Sequence, residues 1–153
     1  MKQKVTINEA TLKAVIAESV KRYLKEEAEN AIDNKIIDLI SLLHNAQLPL
    51  REIHWNTREN ALHLTTDETI DDLFEWEDTL AEAFISNKNI TLKINETKPS
   101  SNDNFETIVK DLVDLASEIK SDISDNKSYD SVCAVIDEII ETSNKHLYRG
   151  QFK

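Results

Sequence analysis

The sequence contains few of the residues that break helices or cross-link a chain. Its 153 residues include one glycine, two prolines and one cysteine. So few turn-forming residues indicate a mostly helical protein, and the length is sufficient for one domain with a sizeable core. The lone Cys133 excludes a disulfide within the chain and a metal site built from a cysteine cluster, and it fits a reducing compartment.

Long hydrophobic runs are also missing from the sequence. No stretch of about 18 consecutive apolar residues occurs, so no membrane-spanning helix is predicted. The first residues lack the basic region followed by an apolar region that marks a secretory signal. The sequence therefore predicts a cytoplasmic protein without a membrane partner.

Positive charge is scarce. Eighteen Lys and Arg stand against 29 Asp and Glu, which gives a formal net charge of −11. A body this acidic repels a phosphate backbone unless its charges are strongly segregated, so DNA binding is not expected. The balance favours a protein that binds cations.

Apolar residues recur at helical spacing along most of the chain, which predicts an all-α fold. The chain divides into an N-terminal amphipathic helix, residues 1–27, and a helical bundle, residues 28–153. An Asn-rich stretch without periodicity, residues 87–104, predicts a long connection before the third bundle helix. The first three bundle helices are predicted at about 28–60, 64–86 and 105–125. The fourth is predicted to begin after a cap at Ser128 or Asp130 and to end at Gly150.

A column of potential metal ligands follows the turn between the first two bundle helices. At about 100° per residue, Asp67 and Asp78 lie within about 20° of each other on one helix, and Glu82 lies about 40° further round. His63 joins this column if the helix begins one turn earlier, and His54 precedes it. The adjoining apolar stripe is predicted to contain Ile70, Leu73, Phe74, Leu80, Ala81, Phe84 and Ile85.

This column has two interpretations. Carboxylates on an amphipathic helix are commonly a solvated face. Imidazole and carboxylate together also suit iron, manganese or zinc. The chain has no Glu-x-x-His pair of the kind that ordinary ferritins use inside one bundle, so any metal site must come from the first two helices.

The residue types resemble the signature of the mini-ferritins called Dps, the DNA-binding proteins from starved cells. That signature is H-W-N followed by H-x3-D-x10-D-x3-E. Eight residues separate the two histidines here, whereas bacterial Dps proteins usually have eleven. The short form H-W-x-T-x5-H is similar to that of a Dps-like group of tailed, crAss-like phages. The matching residues are His54, Trp55, Asn56, His63, Asp67, Asp78 and Glu82.

The resemblance implies a ferritin-like four-helix bundle with a long crossover connection, here preceded by an additional N-terminal helix. It implies a ferroxidase that oxidises Fe(II) with peroxide, or more slowly with dioxygen, and stores ferric mineral in a dodecameric cage built from two-fold dimers. Zinc or manganese are the alternative metals. The implied metal ligands, which are also the catalytic residues, are His54, His63, Asp67, Asp78 and Glu82.

The spacing of the column also calls for a second subunit. Asp67 and Asp78 are about 16 Å apart along a helix axis, so one chain cannot bring them to one ion. An antiparallel two-fold pairing would bring His54, His63 and Asp67 of one subunit against Asp78 and Glu82 of the other. Trp55 is expected to pack in this interface, whereas His44 is expected to be structural or to line a cavity, and His146 is expected to lie at the surface.

The N-terminal segment suggests a different function. Its pattern, VTINEATL followed by ESVKR, resembles a short helix that recurs on otherwise unrelated proteins of crAss-like phages. The alternative to the ferroxidase is therefore a non-catalytic Dps-fold structural or cargo protein of a phage virion, docked through this helix. The expected location is the cytoplasm of a bacterial or phage-infected host, or the virion.

Overall fold

The computed structural model describes residues 8–88, 90–95 and 104–152. Over those residues it is helical and contains no strand, which confirms the all-α prediction. The helices are α1 (Glu9–Asn56), α2 (Asn60–Lys88), α3 (Phe105–Ile123) and α4 (Asp130–Arg149), with a short 3-10 turn, Lys127–Tyr129, before α4.

The chain divides into two structural units, Met1–Asp33 and Asn34–Lys153. The predicted boundary after residue 27 stays a prediction. Residues 9–27, expected as a helix of their own, belong to α1, because no glycine or proline interrupts the chain before Pro49. Asn8 caps the start of α1, where its Oδ1 accepts a hydrogen bond from the Thr11 N–H at 2.8 Å.

The N-terminal unit contributes nothing buried within its described part. None of residues 8–33 is buried. Six Lys or Arg and six Asp or Glu make residues 1–33 neutral, so the whole charge of −11 belongs to residues 34–153. The exposed apolar side chains of this unit are Leu12, Val15, Ile16, Val20, Tyr23 and Leu24.

The second unit builds the core. Helix α4 packs against both α2 and α3. Helix α1 is joined to α3 by Lys35, whose Nζ lies 2.7 Å from Glu118 and 2.6 Å from Asp122. It is joined to α2 by Gln47, which donates to Glu77 at 2.7 Å. Each helix thus contacts two others, an arrangement compatible with a helical bundle; its ferritin-like details stay predictions.

Helix α2 separates a buried and an exposed face cleanly. Leu73, Trp76 and Leu80 are at most 2 % exposed, and the removal of such side chains from water is a main source of folding free energy. Two residues of the predicted apolar stripe are exposed instead of buried: Phe74 is 51 % exposed and Ile85 is 37 % exposed. Each lies about 100° round the helix from its buried neighbour, on the side of the carboxylates.

His146 is also not where the sequence predicts it. It is 3 % exposed, and its Nε2 lies 2.6 Å from Asp72 Oδ2 of α2. Beside this pair, Arg149 forms a two-pronged ion pair with Glu68. The Arg149 hydrogen bond lowers the pKa of Glu68, against a smaller opposing effect of burial. The end of α4 is thus fixed to α2 by two acid–base contacts.

Within the described residues, none of the helices combines the length and the apolar character needed to cross a bilayer.

Candidate metal centre

The turn between α1 and α2 brings the two predicted histidine ligands together. Only residues 57–59 separate the helices. The Thr57 N–H still bonds to the Ile53 carbonyl at 2.9 Å, and the Glu59 N–H bonds to the Thr57 hydroxyl at 3.3 Å. Helix α2 begins at Asn60, one turn before the predicted start at residue 64. His63 therefore lies within its first turn and belongs to the column of potential ligands.

His54 and His63 hold each other by reciprocal contacts. His54 Nδ1 lies 3.2 Å from the His63 carbonyl oxygen, and His63 Nδ1 lies 3.0 Å from the His54 carbonyl oxygen. The rings stack with their centroids 4.0 Å apart. A carbonyl oxygen only accepts hydrogen bonds, so each Nδ1 carries the proton in the neutral ring. Both Nε2 atoms therefore keep the lone pair that a metal ion requires.

Asp67 is a predicted ligand that lies near one of the two histidines. Its Oδ1 lies 3.9 Å from His54 Nε2. Two atoms that each lie about 2.1 Å from one ion are about 3 to 4 Å apart, so this separation suits two ligands of a shared ion. The His54 side chain is 18 % exposed and the Asp67 side chain 65 % exposed, so an ion can reach them from solvent.

Asp78 and Glu82 lie further along the exposed face of α2 and do not join this group within one chain. Across the described residues, no three His, Cys, Asp or Glu side chains converge in a way that would hold a metal ion. Asp78 instead lines an open cleft of about 580 Å³. A complete ligand set from these five residues therefore needs side chains from a second chain.

Exposed apolar side chains surround the column. On α1, Leu48 is 56 % and Trp55 68 % exposed, and on α2, Phe74 is 51 % exposed. The Arg51 guanidinium lies over the Phe74 ring, 5.6 Å from its centroid, and joins the two faces. Large apolar side chains grouped on one face are typical of a protein interface.

A polar chain between α1 and α2 was not found from the sequence. His44 Nδ1 lies 2.8 Å from Glu77 Oε1, and Gln47 Nε2 donates to Glu77 Oε2 at 2.7 Å. All three side chains line the same cleft as Asp78. The sequence predicts His44 as structural or as a cavity residue, and it does line this cleft, whereas Glu77 lies outside the ligand motif. Its position one residue before Asp78 is the only sequence signal.

The structure thus joins His54 and His63 by two reciprocal hydrogen bonds and places Asp67 near His54. Asp78 and Glu82 lie towards the other end of the column. A scan against models of protein families gave no match, and comparisons with curated proteins and with solved structures found no significant similarity.

Proposed function

We propose that the protein is a Dps-like mini-ferritin that oxidises Fe(II) at a site between two subunits and stores the ferric product. The observation that supports it most directly is the reciprocal bonding of His54 and His63. This bonding orients both rings through Nδ1, and it leaves His54 Nε2 3.9 Å from Asp67 Oδ1. A solvated acidic face does not need two histidines in that state.

The pairing of subunits follows from the column. An antiparallel arrangement that sets Asp67 opposite the partner's Glu82 has its two-fold axis between residues 74 and 75. Phe74, half exposed in one chain, then lies at the axis, where it would be covered by its symmetry mate. In the same register Asp71 meets the partner's Asp78. Facing carboxylates repel each other unless cations lie between them, so the pairing itself favours cation binding.

The chemistry uses iron as the substrate. Two Fe(II) ions held by imidazole and carboxylate each give one electron to hydrogen peroxide. The O–O bond breaks, two protons are taken up, and two water molecules leave. Because both electrons arrive together, no hydroxyl radical is released. Fe(III) then hydrolyses and collects against the acidic residues of a cage, whose expected size is a dodecamer.

The charge distribution supports iron handling over DNA condensation. Residues 34–153 carry all of the net charge of −11. Residues 1–33 hold the other six Lys and Arg of the chain, and six Asp and Glu in the same unit balance their charge. We therefore expect no retardation of plasmid DNA even at low salt, where phosphate contacts are strongest.

The test is an anaerobic Fe(II) titration of the full chain, followed by peroxide, with ferric absorbance as the readout. The double variant Asp78→Ala/Glu82→Ala is expected to lose saturable binding and rapid oxidation. Its matched control is Asp137→Ala/Glu141→Ala, which removes the same two residue types at the same spacing from the exposed side of α4. The control is expected to bind and oxidise as the natural chain does.

Two results would overturn this proposal. One is Fe(II) binding by the natural chain no tighter than by Asp78→Ala/Glu82→Ala. The other is a stable monomer in light scattering under conditions where Fe(II) is rapidly oxidised, because one chain lacks the full ligand set. Oxidation that is equally rapid in the variant would assign the activity to other residues.

A non-catalytic structural or cargo protein of a phage virion is the alternative. It is favoured by the N-terminal unit, whose described residues 8–33 present six large apolar side chains and bury none. Such a stripe is typical of a helix that docks on another protein. A natural chain that assembles but neither binds nor oxidises Fe(II) would favour this alternative.

A further inference from the structure

The cleft beside Asp78 contains a histidine that the inter-subunit site does not use. It lies between α1, α2 and residues 90–95, with a volume of about 580 Å³. Its polar lining comes from His44, Gln47, Glu77 and Asp78, and the rest of the lining is apolar. The His44 side chain is 53 % exposed, so a small solute reaches it from solvent.

Glu77 is held in one position by two donors. Gln47 donates to Oε2 at 2.7 Å, and His44 Nδ1 lies 2.8 Å from Oε1. The Glu77 side chain is only 19 % exposed, so both carboxylate oxygens depend on these partners. A carboxylate accepts hydrogen bonds and donates none, so the neutral His44 ring carries its proton on Nδ1. Its Nε2 is left with a lone pair.

This arrangement is the one that prepares an imidazole for a metal ion. Histidines that bind metals commonly donate the other ring N–H to a carboxylate, which fixes the tautomer and raises the basicity of the ligand. Gln47 adds a second restraint, because it donates a hydrogen bond to Glu77, and Glu77 in turn orients the His44 ring. Asp78 follows Glu77 on α2, is exposed, and offers an anionic oxygen to the same cleft.

We propose that this cleft binds a first-row transition-metal dication, with His44 Nε2 and the Asp78 carboxylate as the protein ligands and Glu77 as the positioning residue. Nitrogen and oxygen donors favour Zn²⁺, Fe²⁺ or Co²⁺ over Mg²⁺ and Ca²⁺. Water completes the coordination shell. All of these groups belong to one chain, so the proposal does not depend on the pairing of subunits. Where that pairing also holds, Asp78 serves both sites.

The experiment uses a full-length background that keeps the cleft and lacks the other site. His63→Asn/Glu82→Ala removes two of the proposed inter-subunit ligands and none of the cleft residues. Zn²⁺ titration by calorimetry, with Co²⁺ absorbance as a second readout, is expected to give one ion per chain in this background. Adding His44→Asn is expected to abolish it, since the Asn side-chain amide can still donate to Glu77 but replaces no Nε2.

Positioning by Glu77 has its own readout. Loss of an outer carboxylate typically weakens metal binding about 10- to 100-fold, so Glu77→Gln in the same background is expected to shift the Zn²⁺ affinity by at least about tenfold while the stoichiometry stays at one. Glu75→Gln, an exposed carboxylate on the same helix, is the matched control and is expected to leave the affinity unchanged.

The outcomes separate the two proposals. No Zn²⁺ binding in the background overturns the cleft site, and so does binding that persists with His44→Asn. Neither result bears on the Fe(II) site, which is tested by the difference between the natural chain and the background. Equal losses in Glu77→Gln and Glu75→Gln would remove the positioning role of Glu77.

Discussion

His54 and His63 each turn Nδ1 towards the other's backbone carbonyl oxygen, at 3.2 and 3.0 Å, while their rings stack 4.0 Å apart. The first residue lies in the last turn of α1 and the second in the first turn of α2. The two contacts therefore link the helices across the turn. They also occupy both Nδ1 atoms, which leaves both Nε2 atoms for a metal ion. Eight intervening residues suffice because the turn is short.

The structural and the metal-binding roles of His63 can be separated by two substitutions. His63→Asn retains a donor for the His54 carbonyl, whereas His63→Ala removes it. A net hydrogen bond contributes about 1 kcal/mol to stability, so urea denaturation is expected to show His63→Ala lower by about that amount and His63→Asn close to the natural chain. Both variants are expected to lose the Fe(II) bound at the inter-subunit site and the rapid oxidation that follows peroxide. Full binding by His63→Asn would contradict the ligand assignment.

The exposed Phe74 is expected to control assembly. Phe74→Glu adds a charge at the proposed two-fold axis, so light scattering is expected to show loss of the oligomer. The stability of the single chain should change by no more than about 0.5 kcal/mol, because the side chain is half exposed. Tyr148→Glu, at an aromatic residue of α4 that is 66 % exposed, is the control. Assembly lost equally in both would argue against this interface.

The contact between Asp72 and His146 is expected to contribute more to stability than any exposed carboxylate of α2. Asp72→Ala leaves Nε2 of a His146 side chain that is 4 % exposed without its 2.6 Å partner, which costs about 1–3 kcal/mol. His146 Nδ1 already has no hydrogen-bond partner among the described residues, so the ring has no second contact to compensate. Urea denaturation measures the change. Asp71→Ala, at the exposed neighbour, is expected to stay within about 0.5 kcal/mol; equal losses would show that Asp72 acts by its helix position alone.

The helices were predictable from the sequence because almost nothing interrupts them. One glycine and two prolines leave few places for a helix to stop, and α2 to α4 begin and end within a few residues of the expected limits. His63, Asp67 and Asp78 were predictable as a column because helical spacing is local information. Helix α1 continues through Pro49.

Contacts between helices were not predictable in the same way. Asp72 and His146 are 74 residues apart, and His44 and Glu77 are 33 residues apart. Which polar residues meet depends on the rotation of each helix, and a turn of about 100° exchanges a buried position for an exposed one. The same rotation exposes Phe74, which apolar character alone had assigned to the buried side.

The ion pair of Glu68 and Arg149 predicts a dependence of stability on pH. Arg149 lowers the pKa of Glu68 in the folded protein below the ordinary value of a glutamate. The folded state thus favours the ionised carboxylate, so the contribution is complete above the unfolded pKa and is lost as the pH falls through the folded pKa. Both side chains are about half exposed, at 50 % and 48 %, so salt is expected to screen the effect.

The measurement compares urea midpoints of the natural chain and Glu68→Gln at about pH 7 and about pH 3, at low and high salt. The natural chain is expected to be the more stable at neutral pH and low salt, and the difference is expected to shrink in acid and in salt. Adding Arg149→Gln should remove the pH-dependent part, since the guanidinium is the main cause of the lowered pKa. A difference that is as large in acid as at neutral pH would mean that Glu68 stabilises the end of α4 by packing and not by its charge.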